Sequence, residues 1–276
     1  MTISVQKTSQ ILVDAHVHIH DCFDLEQLLD SALVNFDQVS KPELENCTSV
    51  LLTADIGNHT WLDHVNEKSL ETNQTLNVNA SERWLLCKTQ EPYSYKVCNC
   101  DGRSIFIILG RQIVTEEGIE VLALITEKNF ADHLPLEKTL RSIVNSGGLP
   151  VLPWGVGKWM GKRGAIIQNL LESEHITPLF LGDNSGRPIF WPKPPNFRQA
   201  EEKGMKILPG TDALPLKDEH SYVGSFGFKL LGSLSEDCPG ESLKALLIDS
   251  SIEPYGKLAS PLRFFQNQLM LRLRSM

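Results

Sequence analysis

Apolar residues follow a strand period in some segments and a helix period in others, and the two kinds of segment alternate along most of the chain. In residues 24–39 apolar side chains recur every three or four positions, which predicts a helix with Asp24 as its N-cap. Strands separated by helices of this length favour parallel pairing through crossover connections, and therefore an α/β fold. Further helices are predicted over residues 58–68, 136–145, 161–174 and 197–203, and strands over residues 13–20, 49–56, 149–154, 177–181 and 206–208.

Residues 83–126 interrupt this alternation. Turn signals such as Asp101-Gly102 and Glu117-Gly118 separate short strand-like segments here. We therefore expect an antiparallel, hairpin-rich insertion within a single domain that covers residues 1–276. The strand-like segments are residues 84–88, 93–98, 105–111 and 119–125.

The C-terminal residues 255–276 predict a helix with an apolar stripe at helical spacing. Core helices share this pattern, so we expect the stripe to pack against the rest of the domain or against a second copy of the chain. Docking on a membrane surface is the less favoured alternative. The stripe consists of Leu258, Leu262, Phe265, Leu269 and Leu273.

Polar residues recur at or just after the ends of the predicted strands. In β/α barrels the chemistry lies at the C-terminal ends of the strands. This placement favours a TIM-like β/α barrel over an open sheet. The residues concerned are Asp14 with His16, Asp55, Asp183 with Asn184, and Asp212.

The predicted strand over residues 13–20 contains the most informative polar residues. Side chains alternate along a strand, so Asp14, His16, His18 and His20 are expected on one face and apolar residues on the other. Unpaired polar groups in an apolar setting cost roughly 2–7 kcal/mol each, so this face needs hydrogen bonds, water or a cation. Neutral imidazoles bind zinc, iron or manganese, and Asp14 can bind the metal or orient a ring. The alternative is a strand end whose histidines face solvent.

Composition narrows the function classes. The net charge of −8 and the pI of about 5.5 argue against a nucleic-acid binder that is held by phosphate contacts. The first residues lack a basic segment followed by an apolar one, and no apolar run approaches the roughly 18 residues that span a bilayer. We therefore expect a cytoplasmic protein without a membrane span.

Two polar segments could bind an anion. Residues 155–164 follow a strand, open a helix and carry Lys158, although a glycine-rich connector with solvated charges has the same composition. Residues 181–188 contain Asp183, which could bind a metal, and Arg187, which could clamp a phosphate or carboxylate. An ordinary tight turn is the alternative for the second segment.

Five segments resemble, in order, the motifs of the PHP (polymerase and histidinol phosphatase) family, and the resemblance covers residues 11–216. It implies a distorted seven-stranded β/α barrel, up to three metal ions and phosphoester hydrolysis. The segments are residues 14–18 (Asp-x-His-x-His), 52–55 (similar to Thr-Asp-His), 109–122 (similar to Gly-x-Glu and then His-x-Leu), 147–155 (similar to His-Pro) and 209–214 (similar to Gly-Ser-Asp-Ala-His).

Three positions depart from the family motifs. Gln112 stands in the place of a bridging glutamate, Trp154 in that of a histidine and Leu214 in that of the last histidine. Glutamine carries no charge to offset a cation, and Trp and Leu cannot bind one. The chain also resembles the wider amidohydrolase superfamily, which begins with His-x-His and ends with an Asp after the last strand.

Two histidines and one carboxylate suffice for a site with a single divalent ion, so we expect His16, His18 and Asp212 to hold one ion of zinc, manganese or iron. Residues that could join them are His20, Asp55, His59, Glu120 and Asp183.

The leading hypothesis is a metal-dependent hydrolase for a small anionic, phosphoester-like substrate. Asp183 or Asp55 would be the general base, and Lys158 with Arg187 would bind the substrate. The alternative is a catalytically inactive PHP-like barrel that binds a ligand or a partner protein.

Overall fold

The computed structural model describes residues 9–41, 46–57, 60–65, 76–77, 83–173 and 176–274. In these ranges the chain forms fourteen strands and six α-helices. The strands are β1 (Gln10–Val17), β2 (Cys47–Thr53), β3 (Asp55–Ile56), β4 (Leu76–Asn77), β5 (Trp84–Lys88), β6 (Ser94–Asn99), β7 (Ser104–Ile108), β8 (Gly110–Val114), β9 (Glu120–Leu124), β10 (Leu149–Pro153), β11 (Phe180–Asn184), β12 (Ile207–Gly210), β13 (Gly227–Leu231) and β14 (Glu253–Tyr255). The helices are α1 (Leu25–Val39), α2 (Leu136–Asn145), α3 (Lys162–Ser173), α4 (Pro195–Glu202), α5 (Pro239–Asp249) and α6 (Pro261–Arg274).

The strands form two mixed sheets. The larger sheet has the order β14-β13-β1-β2-β7-β6-β5-β4, and the smaller has the order β12-β11-β10-β9-β8-β3. Parallel pairs join β1 to β2, β2 to β7, β3 to β8, β10 to β11 and β11 to β12, whereas the other pairs are antiparallel. The predicted α/β class is confirmed. Among the described residues the strands do not close into a hydrogen-bonded ring, so the TIM-like barrel stays a prediction.

The chain passes from the larger sheet to the smaller one at two single residues. Ala54 separates β2 from β3, and Leu109 separates β7 from β8. The sequence predicted one strand at each place, because the apolar run continues through the change of sheet. Gly110 makes the second crossing possible, since a Cβ there would lie 2.5 Å from the Thr53 carbonyl oxygen.

Buried side chains form three layers around the sheets. One face of the larger sheet packs against α1. The opposite face of that sheet packs against the inner face of the smaller sheet and against α5, and this layer includes Ile11, Val13 and Phe180. The outer face of the smaller sheet packs against α2, α3 and α4. The ends of β1 and β12 therefore lie between two packed layers, which fixes the backbone around the candidate site.

Strand β1 does not keep the strict alternation that the sequence predicted. Its pairing with β2 shifts register between Asp14 and Val17. As a result Val17 packs with α1 and Leu12, whereas Val13 and Ala15 face the layer between the sheets. The prediction that Val17 shares a face with Val13 and Ala15 was wrong. The register shift places the Val17 side chain on the opposite face of the sheet from those two residues.

The helices agree with the sequence pattern in most places. Helix α1 begins after Asp24, whose carboxylate accepts a hydrogen bond from the Gln27 amide at 3.0 Å. Within the predicted helix over residues 58–68, the described part forms only a short 3₁₀ turn, Trp61–His64. The pattern left β13, α5 and β14 unassigned. No helix in the described ranges is long and apolar enough to cross a membrane.

Candidate metal centre

Two histidines and an aspartate from distant parts of the sequence meet where β1 and β12 end. The Nε2 atoms of His16 and His18 are 3.0 Å apart, and they lie 3.6 Å and 3.5 Å from Oδ1 of Asp212. One possible ligand atom from each residue lies within 4.8 Å of the other two. We call these three residues the triad. The structure thus brings together the three residues that the sequence proposed as metal ligands.

The triad fits a divalent metal ion. Ligand atoms placed about 2.1 Å from a tetrahedral ion are about 3.4 Å from one another, which is close to the three measured separations. Two imidazoles and one carboxylate suit zinc, manganese or iron. Three protein ligands also leave room for a further ligand, which is the arrangement of catalytic rather than structural zinc sites.

Asp14 fixes the end of β1 against the loop that follows β12. Its Oδ2 accepts hydrogen bonds from the Thr211 hydroxyl at 2.6 Å and from the Gly224 amide at 2.9 Å, and its Oδ1 accepts one from the Thr211 amide at 2.8 Å. Burial raises the pKa of Asp14 to about 6, although these hydrogen bonds act in the opposite direction. Asp14 therefore orients the segment that carries Asp212 and is not a member of the triad.

A close approach of two backbones places Asp212 beside the histidines. The Asp212 amide donates to the His16 carbonyl oxygen at 2.7 Å. A Cβ on Gly210 would lie 2.3 Å from the His16 nitrogen, so only glycine allows this approach. Asp212 itself has φ of 48°, in the left-handed region that residues other than glycine rarely adopt. Such strain costs about 1–3 kcal/mol and is concentrated at functional sites.

The Asp212 carboxylate is held in one orientation. The Asn184 side-chain amide donates to Asp212 Oδ2 at 3.0 Å and to the Trp154 carbonyl oxygen at 2.8 Å. The second carboxylate oxygen, Oδ1, remains directed at His16 and His18. Asn184 thus orients a metal ligand from outside the coordination sphere.

The protonation states suit metal binding. Burial lowers the pKa of His16 to about 4, so its ring is neutral near pH 7 and has a lone pair to offer. Burial alone would raise the pKa of Asp212, but the neighbouring His16, His18 and Lys158 hold it below its ordinary value. Asp212 is therefore an anion at neutral pH.

Comparisons with known proteins show the fold alone. No protein-family model matches the chain, and no curated protein matches it in sequence. The crystal structure of PsfC from Pseudomonas syringae PB-5123 is similar to this chain, with a TM-score of 0.55 and 15% sequence identity over 97% of this chain and 100% of PsfC. The lesion-specific endonuclease PfuEndoQ from Pyrococcus furiosus has a TM-score of 0.47 and 10% identity, over 89% of this chain and 57% of its own. The PHP resemblance therefore rests on the order of motifs.

Lys158 and Glu120 form an ion pair next to the triad. Lys158 and Asp212 border the same cavity, and the Lys158 charge acts on both His16 and Asp212. The Gln112 side chain hydrogen bonds to His16. Glu120 aligns with a histidine of the PHP motifs. Its carboxylate pairs with Lys158, and it is not a member of the triad.

The triad lies between two cavities. The first cavity, of about 320 Å³, is bordered by Lys158, Asn184 and Asp212 on one side and by α6 on the other. The second cavity, of about 250 Å³, is bordered by His18, His20 and Asp55. Both sides of the triad are therefore open to a small molecule. Of the residues predicted to bind substrate or act as general base, Lys158 borders the first cavity and Asp55 the second.

Asp183 and Arg187 lie elsewhere. The Arg187 Nε and Nη2 atoms donate to the two carboxylate oxygens of Asp183 at 2.8 Å and 2.7 Å, and both side chains are largely buried. The pair borders a third cavity of about 560 Å³, which is also lined by Lys206 and Phe226. The structure does not bring these two predicted catalytic residues to the triad, because adjacent residues of β11 point to opposite sides and Asn184 takes the side that faces Asp212.

The remaining candidates have other positions. His20 Nε2 is 3.0 Å from the Ala213 carbonyl oxygen, so its ring contacts the loop after β12. His59 lies outside the described residues. Trp154 is buried in the outer layer of the smaller sheet, and Leu214 borders the first cavity. Neither of these two side chains offers a metal ligand.

Sequence reasoning missed the residues that position the triad. Asn184 was predicted to lie at a strand end, but the functional role was predicted for its neighbour Asp183, and none was predicted for Thr211. The signal was present, since polar residues after a strand of a parallel sheet must face either the site or the opposite layer. Alternation alone does not say which of two adjacent polar residues faces the site.

Proposed function

We propose that this protein is a metal-dependent hydrolase with one divalent ion of zinc, manganese or iron at His16, His18 and Asp212, acting on a small anionic, phosphoester-like substrate. The observation that carries the proposal is the convergence of three ligand atoms within 4.8 Å beside a cavity. The strained Asp212 backbone and the neutral state of buried His16 support it.

A divalent ion, when bound, supplies a Lewis acid that makes water nucleophilic near neutral pH. His16 and His18 would hold it through their ring nitrogens, and Asp212 would offset part of its charge. Asn184 would keep the Asp212 carboxylate in place, and Asp14 would keep the loop after β12 in place. These contacts fix the side chains of the site before substrate binds, so the reaction needs little reorganisation of the protein.

Two further residues would handle protons and charge. Asp55, in the second cavity beside His18, would act as general base, and Lys158, in the first cavity, would bind the substrate anion. In the hydrolysis a bond forms between phosphorus and the water oxygen, and the ester P–O bond breaks. Asp55 accepts one proton from the water, and a proton returns through solvent to the leaving alkoxide, so that ester and water give alcohol and phosphate. We assign Asp183 and Arg187 to their mutual ion pair and to no step.

We infer in addition that the two sheets are the sides of one distorted, TIM-like β/α barrel within a single domain. The hydrogen bond from the Asp212 amide to the His16 carbonyl supports this, because it joins the segment directly after β12 of the smaller sheet to β1 of the larger one. The triad would then lie at the C-terminal ends of the strands, where such barrels hold their chemistry.

Hydrolysis of p-nitrophenyl phosphate and bis-p-nitrophenyl phosphate tests the function. Activity should disappear on treatment with a chelator and return with zinc, manganese or iron.

Asp55→Asn should lower kcat by about 10²–10⁴-fold, the usual range for a lost general base. Lys158→Met should lower kcat/KM by about 10–100-fold, since a charge-assisted hydrogen bond contributes about 1.5–3 kcal/mol.

Lys162→Met is the matched control, because Lys162 is exposed at the start of α3. It should retain wild-type activity. Protein that binds metal but turns over none of these esters would contradict the hydrolase and favour the inactive binding module. Equal losses in Lys158→Met and Lys162→Met would remove Lys158 from the site.

A further inference from the structure

Helix α6 forms a wall of the cavity beside Asp212. Phe264, Asn267, Gln268 and Leu271 border this cavity, and Lys158 and Asp212 border it as well. Asn267 and Gln268 are three and four residues after Phe264, and Leu271 is three residues after Gln268, so the four positions share one side of the helix. The opposite side of α6 is exposed and includes Phe265 and Leu269. The stripe predicted in this helix is therefore mostly exposed, and another side of α6 faces the candidate site.

The wall is attached to the body of the protein by polar contacts. Arg263 Nη2 and the Asn267 amide donate to the two carboxylate oxygens of buried Glu219 at 2.9 Å and 3.0 Å. The Arg263 guanidinium also lies 3.4 Å from the centre of the Tyr222 ring. Ahead of the helix, the Ile189 amide donates to the Ala259 carbonyl at 3.0 Å. Glu219 follows Asp212 by seven residues, so the segment that carries a triad residue also holds α6.

Charge is distributed unevenly in this cavity. Asp212 and the Lys158–Glu120 ion pair lie at the end next to the triad, where a bound divalent ion would add positive charge, whereas Glu219 and Arg263 neutralise each other at the α6 side. The rest of the α6 lining consists of amides and apolar groups. The Gln268 side-chain amide is part of this lining, where it can hydrogen bond to a ligand. The cavity thus has a charged end and an uncharged end.

Size restricts the ligand further. Binding sites for small molecules range from about 300 to 1,000 Å³, and a cavity of about 320 Å³ is at the lower limit. A substrate in it has room for one anionic group at the triad end and one small uncharged group against α6. A nucleic-acid strand is larger than a cavity of this volume.

We propose that α6 determines the substrate of this site, which is a small monoester whose anionic group lies at the triad and Lys158 and whose uncharged remainder contacts Gln268, Phe264 and Leu271. The proposal rests on the proposed function for the reaction, and on the cavity lining for the choice of substrate. It excludes nucleic-acid strands and doubly charged ligands with a second anionic group at the α6 end.

Binding of non-hydrolysable phosphonates to the metal-loaded protein tests this without turnover. Calorimetry should show that phenylphosphonate binds, and that 4-carboxyphenylphosphonate binds about tenfold or more weakly because its carboxylate meets the uncharged end. Gln268→Trp, which fills the cavity, should weaken phenylphosphonate about tenfold or more and leave inorganic phosphate within about threefold of wild type. Gln266→Trp is the matched control, because Gln266 is exposed on the same helix.

The outcomes separate this inference from the proposed function. Equal phenylphosphonate affinity in the two tryptophan variants would overturn the inference, as would equal affinity for the two phosphonates. The absence of phosphonate binding to metal-loaded wild-type protein would also overturn it. If the phosphonates bind as expected while no ester is hydrolysed, the ligand class stands and the hydrolase proposal fails.

Discussion

At the scale of single residues, the site depends on a glycine. Gly210 ends β12 where its backbone passes the His16 backbone, and Asp212 reaches the histidines only because of that approach. The sequence predicted His16, His18 and Asp212 from a short histidine pattern and a distant motif. It could not predict Gly210 or Asn184 as their supports, because close backbone approach and the facing of a side chain depend on the neighbouring strand.

Replacing Gly210 with alanine tests this reading. The new methyl group would meet His16 backbone atoms, so β12 must move away from β1. We expect Gly210→Ala to lower the free energy of unfolding by about 1–3 kcal/mol, as overpacking does, and to weaken metal binding. Urea unfolding and metal titration measure the two effects.

Gly204→Ala serves as the control for backbone conformation. Gly204 has φ of 72° with nothing within 4 Å of its missing Cβ, so alanine there costs about 1 kcal/mol and leaves metal affinity unchanged. Wild-type metal affinity in Gly210→Ala would show that the close approach does not position Asp212.

At the scale of elements, a helix could be predicted from the sequence when the residues that determine it lie within its own segment. Helix α1 was predicted because its cap, Asp24, and its apolar period lie within the segment itself. Helix α5 was missed because its N-terminus is held from far away: Glu91 accepts hydrogen bonds from the Gly240 and Glu241 amides at 2.8 Å each. The residue before α5, Cys238, provides no side-chain cap. Because Glu91 lies about 150 positions before α5 in the sequence, the residues around α5 do not indicate that its N-terminus is capped.

Glu91 should therefore contribute more to stability than an exposed glutamate. It is buried and also accepts from the Ser94 hydroxyl at 2.6 Å. We expect Glu91→Ala to lower the free energy of unfolding by about 2–4 kcal/mol, because the variant loses a helix cap and leaves buried donors unsatisfied. Glu116→Ala, at an exposed position, should change it by less than about 0.5 kcal/mol in the same urea titration. Similar values for both variants would mean that Glu91 does not hold α5.

At the scale of the whole molecule, the sequence predicted the α/β class but not the division into two sheets. Continuous apolar runs cross from one sheet to the other at Ala54 and Leu109, and hydrophobicity does not mark such crossings. The antiparallel pairs of β1 with β13 and of β9 with β10 likewise depend on contacts between remote segments. The ends of β1 and β12, one strand from each sheet, meet at the triad.

Metal stoichiometry tests the triad most directly. Protein purified without chelators, incubated in turn with zinc, manganese and iron and then desalted, should carry about one equivalent by mass spectrometry. The double variant His16→Ala/His18→Ala should carry almost none. The control His133→Asn, at an exposed position with φ of 60° that asparagine tolerates, should match wild type. Wild-type protein that stays metal-free with all three ions, or a double variant that keeps a full equivalent, would contradict a metal centre at His16, His18 and Asp212.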